Sequence, residues 1–88
     1  MKPCKLMKLR IPPGAMNLCG RQIRLARVSH HPRVSQNQLV DCLGKLGVSI
    51  DRTALSRIEN QQRGLSDMEL KAIAICLHTT VAALMGEL

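Results

Sequence analysis

Hydrogen-bond donors recur at helical spacing in residues 51–63, whose sequence is DRTALSRIENQQR. Asp51 is suited to cap the start of a helix, because its carboxylate can accept hydrogen bonds from the backbone N–H groups of the first turn. Leu55 and Ile58 lie three residues apart and share one face, which is expected to point into a core. The other face carries polar side chains that match phosphate oxygens and base edges: Arg52, Thr53, Ser56 and Arg57.

This donor pattern predicts a helix that binds in the major groove of DNA. An arginine at the start of such a helix can donate two parallel hydrogen bonds to O6 and N7 of guanine. The alternative is an ordinary surface helix with solvated arginines, since amphipathic helices with a charged outer face are common. The stretch alone leaves both interpretations open.

Positive charge is distributed unevenly along the 88-residue chain, which has a net charge of +7. Every acidic residue lies at Asp41 or later, whereas residues 1–40 carry eight lysines or arginines and no acid. A polyanionic partner is expected, and both nucleic acid and an anionic membrane surface satisfy that description. The chain has no Phe, Tyr or Trp, which argues against binding of single strands by base stacking. It also favours aliphatic helix packing over a β-sandwich.

The four cysteines are widely spaced and include no C-x-x-C pair, so no zinc site or other metal site is expected. Cys19, Cys42 and Cys76 fall within helical patterns and are predicted to be small core residues. A reactive thiol at Cys42 or Cys76 is the alternative. Neither a secretory signal nor an apolar run of membrane-spanning length is recognisable. A cytoplasmic, reduced protein that does not associate with membranes is therefore expected.

Capping signals mark the elements that must position the donors. The segments 35–38 (SQNQ) and 66–69 (SDME) both fit the capping box, in which two residues satisfy each other's free N–H groups. Residues 1–17 are predicted to be a basic, flexible leader and residues 18–88 to form the folded domain. The pattern predicts an all-α domain of five helices, which begin near Leu18, Ser35, Asp51, Ser66 and Thr80.

The predicted core is aliphatic and uses one face of each helix. Besides Leu55 and Ile58, its members are Cys19, Ile23, Ala26, Leu39, Val40, Leu43, Leu46, Leu70, Ile73, Ala74, Leu77, Val81 and Leu84. His78 is expected to end the fourth helix at a position where Gly is more usual. The last helix is also the candidate dimer interface, through Leu84, Met85 and Leu88.

Three motifs carry a resemblance to a known family: VSQNQL at 34–39, LSRIENQQR at 55–63 and ELKAIAICL at 69–77. With these motifs, the chain resembles the Cro and phage-repressor type helix-turn-helix domains, the XRE family, over about residues 18–86. The resemblance implies a lambda-repressor-like fold in which the second helix lies across the DNA backbone and the third enters the major groove. The chain departs from the family at residues 44–50 (GKLGVSI), which make the turn between those helices about five residues longer than usual.

The resemblance also implies roles for individual residues. Gln36 would contact phosphate, Asn60 and Arg63 would approach phosphate after the third helix, and Ala54 would touch a thymine methyl group or pack. Base edges would be contacted by Arg52, Thr53 and Arg57. Arg27 and Glu59 would form a structural ion pair.

The function expected from these features is sequence-specific binding of double-stranded DNA by a transcriptional regulator, a repressor that acts as a homodimer on an inverted repeat. The alternative is a protein-binding module of the same fold, the antitoxin of a toxin–antitoxin pair. No enzyme activity, cofactor or small-molecule ligand is expected, because the histidines and cysteines fall in loops or on core faces.

Overall fold

The computed structural model describes residues 13–86, and this part of the chain is all-α. It contains five helices and no strand within those residues, as predicted. The helices are α1 (Gly20–Ser29), α2 (Gln36–Lys45), α3 (Arg52–Glu59), α4 (Asp67–Cys76) and α5 (Val81–Leu84). No helix within the described range is long and apolar enough to cross a membrane.

Side-chain caps start α2 to α5 where the sequence predicted them. Ser35 Oγ accepts from the N–H of Gln38 at 3.1 Å, and the side chain of Gln38 accepts from the N–H of Ser35 at 2.8 Å. The second capping box, at residues 66–69, has the same geometry. Asp51 caps α3 by accepting from Ala54 N–H at 2.7 Å, and Thr80 caps α5. These four starts are confirmed.

The first helix begins later than predicted, at Gly20 instead of Leu18. Asn17 supplies the cap, because its Oδ1 accepts from the N–H groups of Cys19 at 3.0 Å and Gly20 at 2.7 Å. Asn17 lies in the predicted leader, but it is part of the helical domain. Residues 1–12 of that leader lie outside the described residues.

Four helices are followed by a residue in the left-handed region: Gly47 after α2, Gln61 after α3, His78 after α4 and Gly86 after α5. At the end of α2, Gly47 has a φ of 83°, and Val48 N–H donates to Leu43 carbonyl at 2.9 Å. His78 has a φ of 53° after α4 and ends that helix in the same way, as predicted. Gly44 and Lys45, which the family resemblance placed in the lengthened turn, belong to α2.

The core is built from aliphatic side chains of all five helices. Seven large side chains are fully buried: Ile23, Leu39, Leu43, Leu55, Ile58, Ile73 and Leu84. The other predicted positions are buried or pack partly buried against these, with one exception. Leu46 is 46% exposed, so its predicted burial is wrong: it is the C-cap of α2, where the chain turns away from the helix at Gly47.

The predicted dimer interface on α5 also needs correction. Leu84 is only 1% exposed because it faces the core, so it cannot meet a second copy of the chain. Met85 is 38% exposed, and its Sδ lies 3.3 Å from Cys19 Sγ. Leu88 lies outside the described residues.

The cysteines divide into two kinds. Cys19 is buried and free, and burial raises the pKa of its thiol. Cys42 on α2 and Cys76 on α4 are half-buried and joined in a disulfide, so the prediction that both are reduced is wrong. Cys76 packs against the core, as predicted. The two cysteines are 34 residues apart, and only the packing of α2 beside α4 brings them together.

Candidate nucleic-acid interface

One face of α3 is buried and the other is open. Leu55 and Ile58 are fully buried, whereas Arg52, Thr53 and Arg57 are exposed. Because the helix is amphipathic, its packing leaves these three polar side chains outward. The structure thus places together the side chains that the sequence predicted to face base edges.

Gln36, the first residue of α2, is hydrogen-bonded to the same surface. Its Nε2 donates to Glu59 Oε1 at 3.2 Å, and its Oε1 accepts from Arg52 Nε at 3.4 Å. The side chain therefore bridges the last residue of α3 and the first. These contacts link the N-terminus of α2 to the exposed face of α3.

Arg27 and Glu59, the two residues that the family resemblance paired, form a bidentate ion pair. Arg27 Nε lies 2.9 Å from Glu59 Oε2, and its Nη2 lies 3.0 Å from Oε1. Arg27 also donates to the carbonyl of Val34 at 3.1 Å. The two residues are only 7% and 6% exposed, so the pair fixes α1 against the end of α3 inside the domain.

An open cleft of about 510 Å³, which we call the arginine cleft, is lined in part by this ion pair. Its walls come from α1, α2, α3 and the loop that precedes α2. Beside Arg27 and Glu59 it is lined by Arg24, Arg33, Ser35, Gln36, Asn37, Arg52, Ser56 and Asn60. A neighbouring depression of about 500 Å³ is lined by Gln36, Arg52, Thr53, Ser56 and Arg57.

The charge of this surface is uncompensated. Within residues 13–86, the arginines that form ion pairs with carboxylates are Arg27 and Arg63. The other arginines that line the two depressions are without such a partner in that range: Arg24, Arg33, Arg52 and Arg57. Unpaired guanidinium groups beside amide and hydroxyl donors favour a phosphate-rich ligand.

The remaining three residues of the predicted interface, Asn60, Ala54 and Arg63, have surroundings that differ from one another. Asn60 is exposed and lines the arginine cleft. Ala54 is half-buried against the core, which favours packing over the contact with a thymine methyl group. Arg63 lines neither depression, and its guanidinium instead forms a bidentate pair with Glu69, with both distances 3.1 Å. Hydrogen bonding within this pair raises the pKa of Arg63 and lowers that of Glu69.

Sequence reasoning missed several residues that shape the interface. Arg24 was expected to be merely solvated, and Arg33 and Asn37 were not singled out, yet all three line the arginine cleft. Asn17 anchors the end of α3, because its Nδ2 donates to the carbonyls of Ile58 at 3.0 Å and Arg63 at 2.8 Å. No local pattern marks these roles, since the partners of Asn17 are 41 and 46 residues away.

The described residues present a positively charged surface and no cluster of metal-ligating side chains. Within residues 13–86, no three His, Cys, Asp or Glu side chains lie close enough together to hold a metal ion. Comparisons with models of known protein families, with curated proteins and with solved structures found no match to this chain.

Proposed function

We propose that this protein is a sequence-specific binder of double-stranded DNA and acts as a transcriptional repressor. In this proposal α2 and α3 form the helix-turn-helix of a lambda-repressor-like domain. The observation that carries it is the exposed face of α3. Arg52, Thr53 and Arg57 project from a helix whose opposite face is locked into the core, and none of them has a carboxylate partner in the described chain.

In the proposed complex α3 lies in the major groove. Arg52 and Arg57 can each donate two hydrogen bonds to guanine, and the Thr53 hydroxyl can donate or accept at a base edge. Gln36 holds Arg52 from the side of α2, which reduces the conformational freedom that the arginine would lose on binding. Arg24, Arg33 and Asn60 supply donors for the phosphate backbone beside the groove.

A single short helix contacts few base pairs, so the proposal includes a homodimer. Helix-turn-helix dimers bind two half-sites about 34–36 Å apart, one turn of DNA. Occupation of such a site would block or redirect RNA polymerase sterically. The arginine-rich surface would add affinity that does not depend on sequence.

The test is selection of binding sites from random duplexes at moderate salt. Three proteins are compared: the wild type, Arg52→Ala/Arg57→Ala, and the control Lys45→Ala/Lys71→Ala. The control loses the same charge from exposed positions on α2 and α4 that line neither depression. We expect the wild type and the control to enrich the same inverted repeat and the arginine variant to enrich none.

The opposite result is equally informative. If all three proteins bind every duplex alike and binding disappears as salt is added, only net charge is being recognised. The proposal would then be wrong, and the antitoxin alternative would be tested next by looking for a bound protein partner.

A further inference from the structure

The disulfide between Cys42 and Cys76 ties α2 to α4 around the proposed DNA-binding helix. The Cα atoms of the two cysteines are 6.0 Å apart, a separation usual for disulfides. The chain between them includes all of α3. The bond therefore closes a covalent loop that contains the exposed arginines of α3 and fixes the helix on which α3 packs.

Cys42 and Cys76 are more accessible than Cys19, the other cysteine within residues 13–86. Cys42 and Cys76 are half-buried, whereas Cys19 is only 3% exposed. Exchange requires an attacking thiolate to reach one of the bonded sulfurs, which partial exposure permits. The net charge of +7 also attracts small anionic thiols and disulfides.

We propose that Cys42 and Cys76 form a reversible redox site that exchanges with small thiols and disulfides of the glutathione class. On oxidation each thiol loses its proton and the two Sγ atoms form one bond. The two electrons pass to a small disulfide, whose S–S bond breaks to give two small thiols. Reduction is the reverse exchange and passes through the same mixed disulfide.

The consequence is a domain whose stability follows its redox state. Closing a loop restricts the unfolded chain more than the folded one, so the oxidised form resists unfolding better. The site thereby controls how firmly α2, the helix against which α3 packs, is tied to α4. The effect on DNA binding depends on the function proposed above, whereas the redox site itself does not.

The first test uses the full-length protein in glutathione buffers that range from reducing to oxidising. Peptide mapping by mass spectrometry follows the bond, and circular dichroism follows thermal unfolding. We expect a Cys42–Cys76 peptide to form and disappear reversibly, and the Tm of the oxidised form to be higher by roughly 10–20 °C. In the control Cys42→Ser, the Tm should be the same in all buffers.

Three results would overturn the proposal: no Cys42–Cys76 bond in any buffer, a bond that glutathione never reduces, or a redox-dependent Tm that persists in Cys42→Ser. If that variant does not fold, peptide mapping of the wild-type protein by itself tests whether the bond forms and is reduced reversibly.

The second test measures binding of a selected duplex at a temperature between the two Tm values. Oxidised protein should bind and reduced protein should not. Equal binding by both forms would show that the redox state of the two cysteines does not control DNA affinity. If neither form binds even at low temperature, the proposed DNA-binding function fails. The redox site would still be judged by the mapping and the Tm.

Discussion

At the level of single side chains, Glu59 connects the interior of the domain to its proposed DNA-binding surface. Both of its carboxylate oxygens accept from buried Arg27, and Oε1 also accepts from Gln36. Gln36 in turn accepts from Arg52. One buried carboxylate therefore neutralises an interior arginine and orients the side chain that links α2 to α3.

Removing this carboxylate should be costly. We expect Glu59→Ala to lower the free energy of unfolding by about 3–5 kcal/mol, because it leaves Arg27 buried without its counter-charge. Urea denaturation measures the change. The matched control is Glu69→Ala, which breaks the more exposed pair with Arg63 and the capping-box hydrogen bond from Ser66 N–H, and should cost about 1–2 kcal/mol. Equal losses in the two variants would show that burial of the Arg27–Glu59 pair is not what makes it important.

Glu69 gives a prediction about pH. Hydrogen bonds from Arg63 hold its pKa below the usual value of 4.5. Since the folded pKa is below the unfolded one, this carboxylate stabilises the fold above about pH 4.5, and the contribution is lost as the pH falls through the folded pKa. Glu69→Gln should therefore lower the Tm at neutral pH, with a difference from wild type that shrinks on acidification. A difference that stays constant with pH would contradict this assignment.

At the level of helices, the first turn of α1 lies directly on the backbone at the end of α3. A Cβ atom at Gly20 would clash with the carbonyl oxygen of Ile58 and would lie 2.9 Å from that of Glu59. Both obstacles are backbone atoms of the helix that carries the proposed interface. Glycine at this position thus allows α1 and α3 to approach closely enough for Arg27 to reach Glu59.

Replacing glycine with alanine should have opposite effects on stability at two positions. Gly20→Ala should destabilise the domain by on the order of 2–3 kcal/mol, because backbone must move to admit the methyl group. Gly44→Ala is the control, since Gly44 lies in α2 with open space around its Cβ position. It should stabilise by about 0.5–1 kcal/mol through helix propensity. Thermal unfolding of both variants measures these effects. If Gly20→Ala raised the Tm, the close approach of α1 to the backbone of α3 would be refuted.

At the level of the whole molecule, the proposed function requires two copies of the chain on one DNA site. Sedimentation of the complex with a selected inverted repeat should show two protein chains per duplex. Inserting about five base pairs between the half-sites turns them by half a helical turn and should abolish simultaneous binding by the dimer. Stoichiometry and affinity that do not depend on this spacing would argue against a dimer with fixed geometry.

Signals confined to a few neighbouring residues made much of this fold predictable. The capping boxes at 35–38 and 66–69 each connect residues three apart, and both are present as predicted. The apolar spacing of Leu55 and Ile58 placed one face of α3 in the core and its arginines outside. These features depend on the local geometry of a helix, which the order of residues specifies directly.

Other features depend on which helices become neighbours, and only the folded structure reveals them. Leu84 was predicted both as a core residue and as part of a dimer interface, and its burial confirms only the first prediction. Cys42 and Cys76 meet because α2 packs beside α4. Asn17 caps α1 locally and also anchors the end of α3, where the carbonyls that it contacts are more than 40 residues away in sequence. Local patterns do not encode such pairings, because long-range contacts depend on how all the helices pack together.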